Sequence, residues 1–408
     1  MATGAVLLET HEAYLEHLPR GGHPECPARL EAVLQGIRDA GVGEALVPVA
    51  PRRATREELE RVHIPAYLDA LERFCARGGG WLDGDTAATE GSWDAAVLAA
   101  GAGLDAVERL DRGEGDAAFI AVRPPGHHAL RGRPMGFCVI NNVAVTAAAL
   151  AARGERVLIV DWDAHHGNGT QAIFYEDPRV LYVSMHQFPF YPGTGALDET
   201  GVGAGAGYTI NFPFPAGTTG DAYLAAIDSV LIPAVSWFRP TWVVASAGFD
   251  AHRDDPLTSL GLTSGDYALI TERVMALAPA GHRLAVLEGG YDLDALAKSA
   301  GACVARMAGV SSAPVAEAPT SGGPGGSVVE AAAALLADAG PGAAGAGRAE
   351  TGRAQAGRAQ AGRAEAGRAE TGRAETGDGP VGDAGGLAAD AGGLAGDAGG
   401  DRHVVEPT

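Results

Sequence analysis

The chain has 408 residues, 46% of them apolar, which is enough core for one large domain or two smaller ones. Against 30 basic side chains stand 51 acidic ones, and the resulting formal charge of −21 argues against binding to nucleic acid or to an anionic membrane. Four scattered cysteines (Cys26, Cys75, Cys138, Cys303) make no CxxC pair and the N-terminus carries no signal-peptide pattern, so a cytoplasmic protein is expected.

In chain order, the first strong strand signal is the apolar run Ala118–Val122, which leads into R-P-P-G-H-H at 123–128. Residues 142–152 read as a helix. The next strand, Arg156–Val160, runs into D-W-D-A-H-H-G-N-G, and Arg179–Ser184 follows as another. A helical stretch at 220–235 precedes the strand Thr241–Ser246, which runs into A-G-F-D; Arg283–Leu287 then runs into E-G-G-Y. Apolar strands alternating with helices predict an α/β fold, a single domain with a mainly parallel central sheet flanked by helices. Sites in such sheets form beyond the carboxyl ends of the strands. Four polar clusters at four strand ends are therefore expected to converge.

Tyr291 is the last aromatic residue. Beyond about residue 310 the composition turns to Ala, Gly, Pro, Glu and Arg, and from Gly347 to Glu375 a five-residue unit built on GRAE or GRAQ repeats. Five residues advance a helix by about 500°, so no apolar stripe accumulates, and a glycine in each unit weakens the helix further. The expected division is a folded domain over 1–310 and a largely disordered tail over 311–408, in which the run Val328–Leu336 alone has a helical pattern.

Asp163 and His165 flank a single residue just after a strand. In extended backbone both side chains point the same way and can reach one cation. Asp250, after the strand at 241–246, is the natural third ligand. Such a set leaves a tetrahedral ion one open position, as catalytic metals require. A second ion about 3.5–4 Å away would need more carboxylates, but Gly167 has no side chain and His252 stands two past Asp250. One catalytic metal is expected.

His127 and His128 follow a Pro-Pro-Gly turn. Asp161 is available to orient one ring and Asn168 the other, and only the carboxylate would raise its partner's pKa. Tyr291, after Gly289-Gly290, could donate its phenol hydrogen to an oxyanion opposite the metal.

Together these residues resemble the histone deacetylase and acylpolyamine amidohydrolase family, within the arginase–deacetylase superfamily, over roughly residues 5–308. The resemblance is carried by H-P-E-C-P-A-R-L at 23–30, R-P-P-G-H-H-A at 123–129, D-W-D-A-H-H-G-N-G-T at 161–170, G-F-D-A-H-R-D-D-P-L at 248–257 and E-G-G-Y at 288–291. Asn168, where the first class carries Asp, makes it similar to class II deacetylases and their bacterial relatives. The resemblance implies a catalytic domain over 1–310, one zinc on Asp163, His165 and Asp250, and catalytic roles for His127, His128, Tyr291, Asp161 and Asn168. It further implies an acyl-lysine tunnel walled by Phe137 and Tyr191, Leu257 near its mouth, and the Gly136 carbonyl as acceptor for the substrate amide. Arg29 matches the arginine beside an internal product cavity. A structural potassium ion would use the Asp161, Asp163 and His165 segment with Ser184 and Met185, and a second monovalent site the backbone around Phe174 and Val180.

The implied reaction is hydrolysis of an acylated amine, most readily acyl-lysine in a protein or peptide, by metal-activated water. Two alternatives stay open: an acetylpolyamine amidohydrolase acting on small acylated amines, and a catalytically weak acyl-lysine binding module, against which the intact Tyr291 and histidine pair argue. Oligomeric state is not legible.

Overall fold

In the computed structural model, which describes residues 4–19, 21–311, 313–314 and 316–339, the strand signals resolve into one sheet. In chain order the elements are β1 (Val6–Glu9), α1 (Pro27–Asp39), β2 (Leu46–Val49), α2 (Arg56–Glu60), α3 (Pro65–Ala76), the small hairpin β3 (Gly80–Trp81) and β4 (Ala87–Ala88), and α4 (Ser92–Asp111). Then come β5 (Ala117–Ile120), α5 (Asn142–Ala152), β6 (Val157–Asp161), α6 (Asn168–Phe174), β7 (Val180–Gln187), β8 (Thr209–Phe214), α7 (Gly220–Ala226), α8 (Ile232–Phe238), β9 (Trp242–Ala247), α9 (Ser264–Met275), β10 (Arg283–Leu287), α10 (Leu293–Met307) and α11 (Gly326–Ala339). Eight strands pair in the order β2-β1-β5-β10-β9-β6-β7-β8, and every neighbouring pair is parallel.

The five strands expected from apolar runs are all present, each within two residues or so of its expected ends. They are almost wholly buried, as strands covered by helices on both faces must be. The three not anticipated are short or interrupted. β1 is four residues ending in Glu9, β2 is half exposed and holds Pro48, and β8 holds Pro213. β2 and β8 are the sheet edges, where proline's missing ladder donor is tolerated. The helix expected at 220–235 continues to Phe238 through a π-helical turn at Ile227–Leu231, which admits Pro233 at the start of α8.

Four strands that end in the polar clusters, β5, β10, β9 and β6, lie side by side at the centre of the sheet. Parallel register brings their carboxyl ends to one level: Asp161 is opposite Ser246, and Leu287 is opposite Ala247. The sheet order therefore assembles the site.

The boundary expected at residue 310 is corrected. Residues 316–325 form a strap along α7 and α9. Thr263 Oγ1 donates to the Ala318 carbonyl (2.8 Å), the Thr320 hydroxyl to Asp266 (2.8 Å), the Gly322 amide to Asp221 (2.9 Å) and the Gly323 amide to Thr219 (2.8 Å). α11 then packs over β8 with Val329 and Ala332 buried, so the helical pattern at 328–336 marks a docking helix. An alanine-rich helix without aromatics can dock because small side chains lie close to an edge strand, and the strap is secured by hydrogen bonds rather than by apolar area. The pentapeptide repeats, and the expectation of disorder attached to them, lie outside the described residues.

Truncation after residue 312 uncovers the β8 face that Val329 buries, and burial of one such side chain is worth about 1.5–3 kcal/mol. A melting curve is expected to show Tm lower by a few degrees than for truncation after residue 340. Equal midpoints would mean that α11 does not stabilise the domain.

Candidate active site

Beyond the end of β6 the chain places Asp163 and His165, and beyond β9 it places Asp250. Their ligand-type atoms lie within 4.8 Å of one another. His165 Nδ1 is 2.9 Å from Asp250 Oδ2 and 3.1 Å from Asp163 Oδ1. Both carboxylates are fully buried. Two anionic groups in a dry site with one imidazole between them carry a large desolvation cost that a cation removes. The donor set of one nitrogen and two carboxylates suits zinc and leaves a fourth position open. The outward oxygens are already satisfied: Asp163 Oδ2 accepts from the Gly289 amide (2.8 Å) and Asp250 Oδ1 from the Ala164 amide (2.7 Å), which fixes how both carboxylates face His165.

Close approach explains the glycines here. A Cβ on Gly289 would sit 2.3 Å from Asp250 Oδ2, and one on Gly167 would sit 2.2 Å from Asp161 Oδ2. Position 167 thus cannot carry a further ligand, and His252 turns away, its Nε2 2.9 Å from Glu317.

The histidine pair stands in two different environments. His127 Nδ1 is 3.1 Å from Asp161 Oδ2, which also accepts from Tyr182 Oη (3.1 Å). His128 Nδ1 is 2.8 Å from Asn168 Oδ1, and the Asn168 amide nitrogen donates to Met135 Sδ (3.3 Å). That orientation makes Asn168 Oδ1 the acceptor, so His128 carries its proton on Nδ1 and presents the Nε2 lone pair. Burial disfavours charge on His127, but Asp163 and Asp161 outweigh it and hold the ring well above the ordinary histidine range. His128 is driven well below that range by burial, then by His127 and His165. The pair is split electrostatically: against burial, Asp163 and Asp161 raise His127, while burial and the rings of His127 and His165, not Asn168, lower His128.

Tyr291 follows β10 and directly precedes Asp292, which caps α10 by accepting from the Ala295 amide. Its backbone amide donates to Asp255 Oδ2 (2.7 Å), its ring meets Phe137 edge-on (5.8 Å) and the Arg29 guanidinium lies 5.0 Å from its centre. Burial holds the phenol well above its ordinary pKa despite Arg29, so it remains a donor. Arg29 itself is fully buried: it donates to the carbonyls of Gly290 (2.6 Å) and Glu288 (2.5 Å) and to Glu25 Oε1 (3.3 Å). Its visible work is to clamp the E-G-G-Y turn.

The expected tunnel residues gather at the same end. Tyr191 meets His128 edge-on at 5.2 Å and is 37% exposed, which puts it at a rim. Phe137 holds a left-handed backbone (φ 68°) after Gly136, whose carbonyl accepts from the Cys138 thiol (3.3 Å). Leu257 lies partly buried in the loop after Asp250, with its amide on Asp255 (2.9 Å). Asp161 and Ser184 are opposite each other on adjacent strands, and the Met185 carbonyl accepts from Tyr223 Oη (3.3 Å). Phe174 ends α6, and Val180 opens β7.

Sequence reasoning missed several residues. Phe190 stacks on His165 at 5.4 Å. Glu288 Oε2 accepts from the amides of Gly126 (2.7 Å) and His127 (3.1 Å), and burial pushes this carboxyl up to about 7. Glu25 ties Arg123 (2.8 Å), Arg29 (3.3 Å) and His17 (3.2 Å) together in the interior. The signal for Glu25, Arg123 and Glu288 was a charged residue inside an otherwise apolar or motif-bearing stretch; for Phe190 there was none.

Comparison with known proteins agrees with this geometry. The histone deacetylase domain family matches residues 23–307. The chain is 43% identical over 316 residues to a probable deacetylase of Archaeoglobus fulgidus, covering 76% of this chain and 87% of that protein. It is 44% identical over 294 residues to histone deacetylase 15 of Arabidopsis thaliana, covering 70% of this chain but only 53% of the plant protein. The crystal structure of the HDA15 HD domain superposes with a TM-score of 0.75 at 37% identity, over 82% of this chain and 96% of that one. By fold, by candidate metal centre and by sequence, this chain belongs to the histone deacetylase domain family.

Proposed function

We propose that the protein is a zinc-dependent amidohydrolase, similar to class II deacetylases, that removes acetyl or another acyl group from lysine side chains in proteins or peptides. The observation that carries this reading is the convergence of three ligand-type side chains with two histidines of opposite electrostatic character. Asp163, His165 and Asp250 would hold the ion, which supplies polarisation of the acyl carbonyl and acidification of a water molecule.

The remaining chemistry belongs to the chain. His128 Nε2, neutral and unprotonated, takes the proton of the attacking water and then delivers it to the departing amine nitrogen. His127 stays charged on Asp161 and stabilises negative charge developing at the acyl carbon's oxygen. Tyr291 Oη donates to that oxyanion, and Asn168 keeps His128 in the tautomer that leaves Nε2 free. Phe137 and Tyr191 would flank the acyl-lysine stem, Leu257 its mouth, and the Gly136 carbonyl would accept its amide hydrogen. Arg29 would border the exit for the carboxylate product. A structural potassium ion would be held by the Asp161–His165 segment with Ser184 and Met185. The products are a carboxylate and a free amine.

Elemental analysis is expected to find one tightly held zinc per chain and its loss on Asp250→Ala. Undiminished metal in that variant, or two ions at the site, would remove the assigned ligand set. Purified protein is expected to deacylate an acetyl-lysine peptide in preference to acetylated polyamines, and the reverse preference would make the alternative amidohydrolase reading correct.

Tyr291→Phe deletes one hydroxyl and keeps the ring. Loss of an oxyanion donor costs about 2.7–4 kcal/mol, so kcat should fall roughly 10²–10³-fold, while ground-state binding weakens by no more than about 0.5–1.5 kcal/mol. Tyr191→Phe serves as the rim control, with an effect confined to substrate preference. If Tyr291→Phe, with its zinc intact, keeps more than about a third of wild-type kcat, the oxyanion role is refuted.

A further inference from the structure

The irregular loop from Asp250 to Leu262 performs two tasks. It begins with a candidate metal ligand, and through Asp255 it accepts the amide of Tyr291 (2.7 Å). Within it the Leu262 amide donates to the Ala251 carbonyl (3.1 Å), the Arg253 amide to the Leu262 carbonyl (2.8 Å) and the Asp255 amide to the His252 carbonyl (2.9 Å), while its second half is tied outward by the Ser259 amide on Gln187 Oε1 (2.8 Å) and the Gly261 amide on the Thr218 carbonyl (2.8 Å). The His252–Arg253 turn next to Asp250 is tied outward through its two side chains, and a site residue must be held closely for catalysis.

The acceptor for both side chains is Glu317. Glu317 Oε2 lies 2.9 Å from His252 Nε2 and 3.3 Å from Ser264 Oγ, while Oε1 accepts from Arg253 (2.8 Å). The Glu317 amide donates to Ser264 Oγ (2.8 Å). His252 is buried, and its Nδ1 accepts from the Asp254 amide (3.2 Å), so its proton sits on Nε2 and is donated to Glu317. His252, Asp254 and Glu317 could by spacing gather a cation. Arg253, however, already occupies Glu317 Oε1 and Asp254 is exposed, so the cluster is an ion-paired clasp.

We propose that Glu317 is a positioning residue, which through His252 and Arg253 fixes the 250–262 loop and thereby Asp250 and Tyr291. It stands on the strap, past residue 307 where the family match ends. A segment outside the matched domain thus sets the geometry of the site within it. The proposal rests on the roles given above to Asp250 and Tyr291.

The test uses the full chain carrying Glu317→Ala, Glu317→Gln or Asp221→Ala. Asp221 anchors the strap at Gly322 without bonding His252 or Arg253, and controls for general loosening of the strap. Amide hydrogen exchange over 250–262 and 289–291 in metal-free protein, thermal midpoints, and kcat and KM on an acetyl-lysine peptide are compared. Both alanine variants should lower the midpoint. Only Glu317→Ala should speed exchange in both segments and lower kcat, each about tenfold or more, with KM within about threefold. Glu317→Gln retains an acceptor for His252 and should recover most of both effects. Exchange and kcat of Glu317→Ala equal to those of wild type or of Asp221→Ala would overturn the proposal. If Glu317→Ala does not fold, Arg253→Ala, which removes the partner of Glu317 Oε1, must exceed Asp221→Ala in loop exchange, and equality overturns the proposal equally. Should the wild-type chain hydrolyse no acylated amine, the exchange comparison decides alone, so the two readings fail separately.

Discussion

Two carboxylates, Asp163 and Asp250, are buried side by side with a single imidazole between them, and this is the constraint around which the domain is arranged. Placing like charges in a dry interior is unfavourable unless backbone dipoles and a cation answer them. The amides of Gly289 and Ala164 take the outward oxygens, and they come from segments following two different strands, β10 and β6. The required geometry therefore exists only if β10, β9 and β6 are neighbours in parallel register, as they are. Glycines at 248 and 289 keep the space over the carboxylates free of a Cβ.

Around that centre, charge is graded. Against the effect of burial, Asp163 and Asp161 hold His127 well above the ordinary histidine range, whereas burial, His127 and His165 hold His128 well below it and Asn168 fixes its tautomer, so adjacent residues of one type stand in opposite electrostatic settings. Glu288 links the two halves of the site, since it belongs to the turn that carries Tyr291 and accepts the amides of Gly126 and His127. A movement of the tyrosine turn is thereby coupled to the histidine turn through one carboxylate.

A second buried network braces the site from the N-terminal side. Glu25 gathers Arg123, Arg29 and His17, Arg123 holds the Tyr14 and His17 carbonyls, and Arg29 reaches the carbonyls of Glu288 and Gly290. Buried ion pairs of this kind add little net stability, but removing one member leaves an uncompensated charge. Their effect is a single arrangement of loops that are far apart in the chain. Residues conspicuous in the sequence as H-P-E-C-P-A-R-L are thus scaffolding for E-G-G-Y.

The parallel α/β class, the central strands and the candidate ligand and histidine residues were legible in the sequence, because fully buried strands read as unbroken apolar runs and chemistry collects at their carboxyl ends. The acid at 161 and the amide at 168 were legible as partners of His127 and His128, while the burial and the neighbouring charges that split the pair came from the fold. The edges β2 and β8 came only from the tertiary structure, because a proline in each, and in β2 its exposure, erase the strand signal. Tertiary structure alone decided that Arg29 clamps backbone, that Phe190 covers His165, and that His252 faces Glu317. The folded chain continues past residue 310 for the same reason. A strap held by hydrogen bonds and an alanine-rich helix bury too little area to stand out in composition, and their stability comes from partners a hundred residues away or, for Glu317, more than fifty.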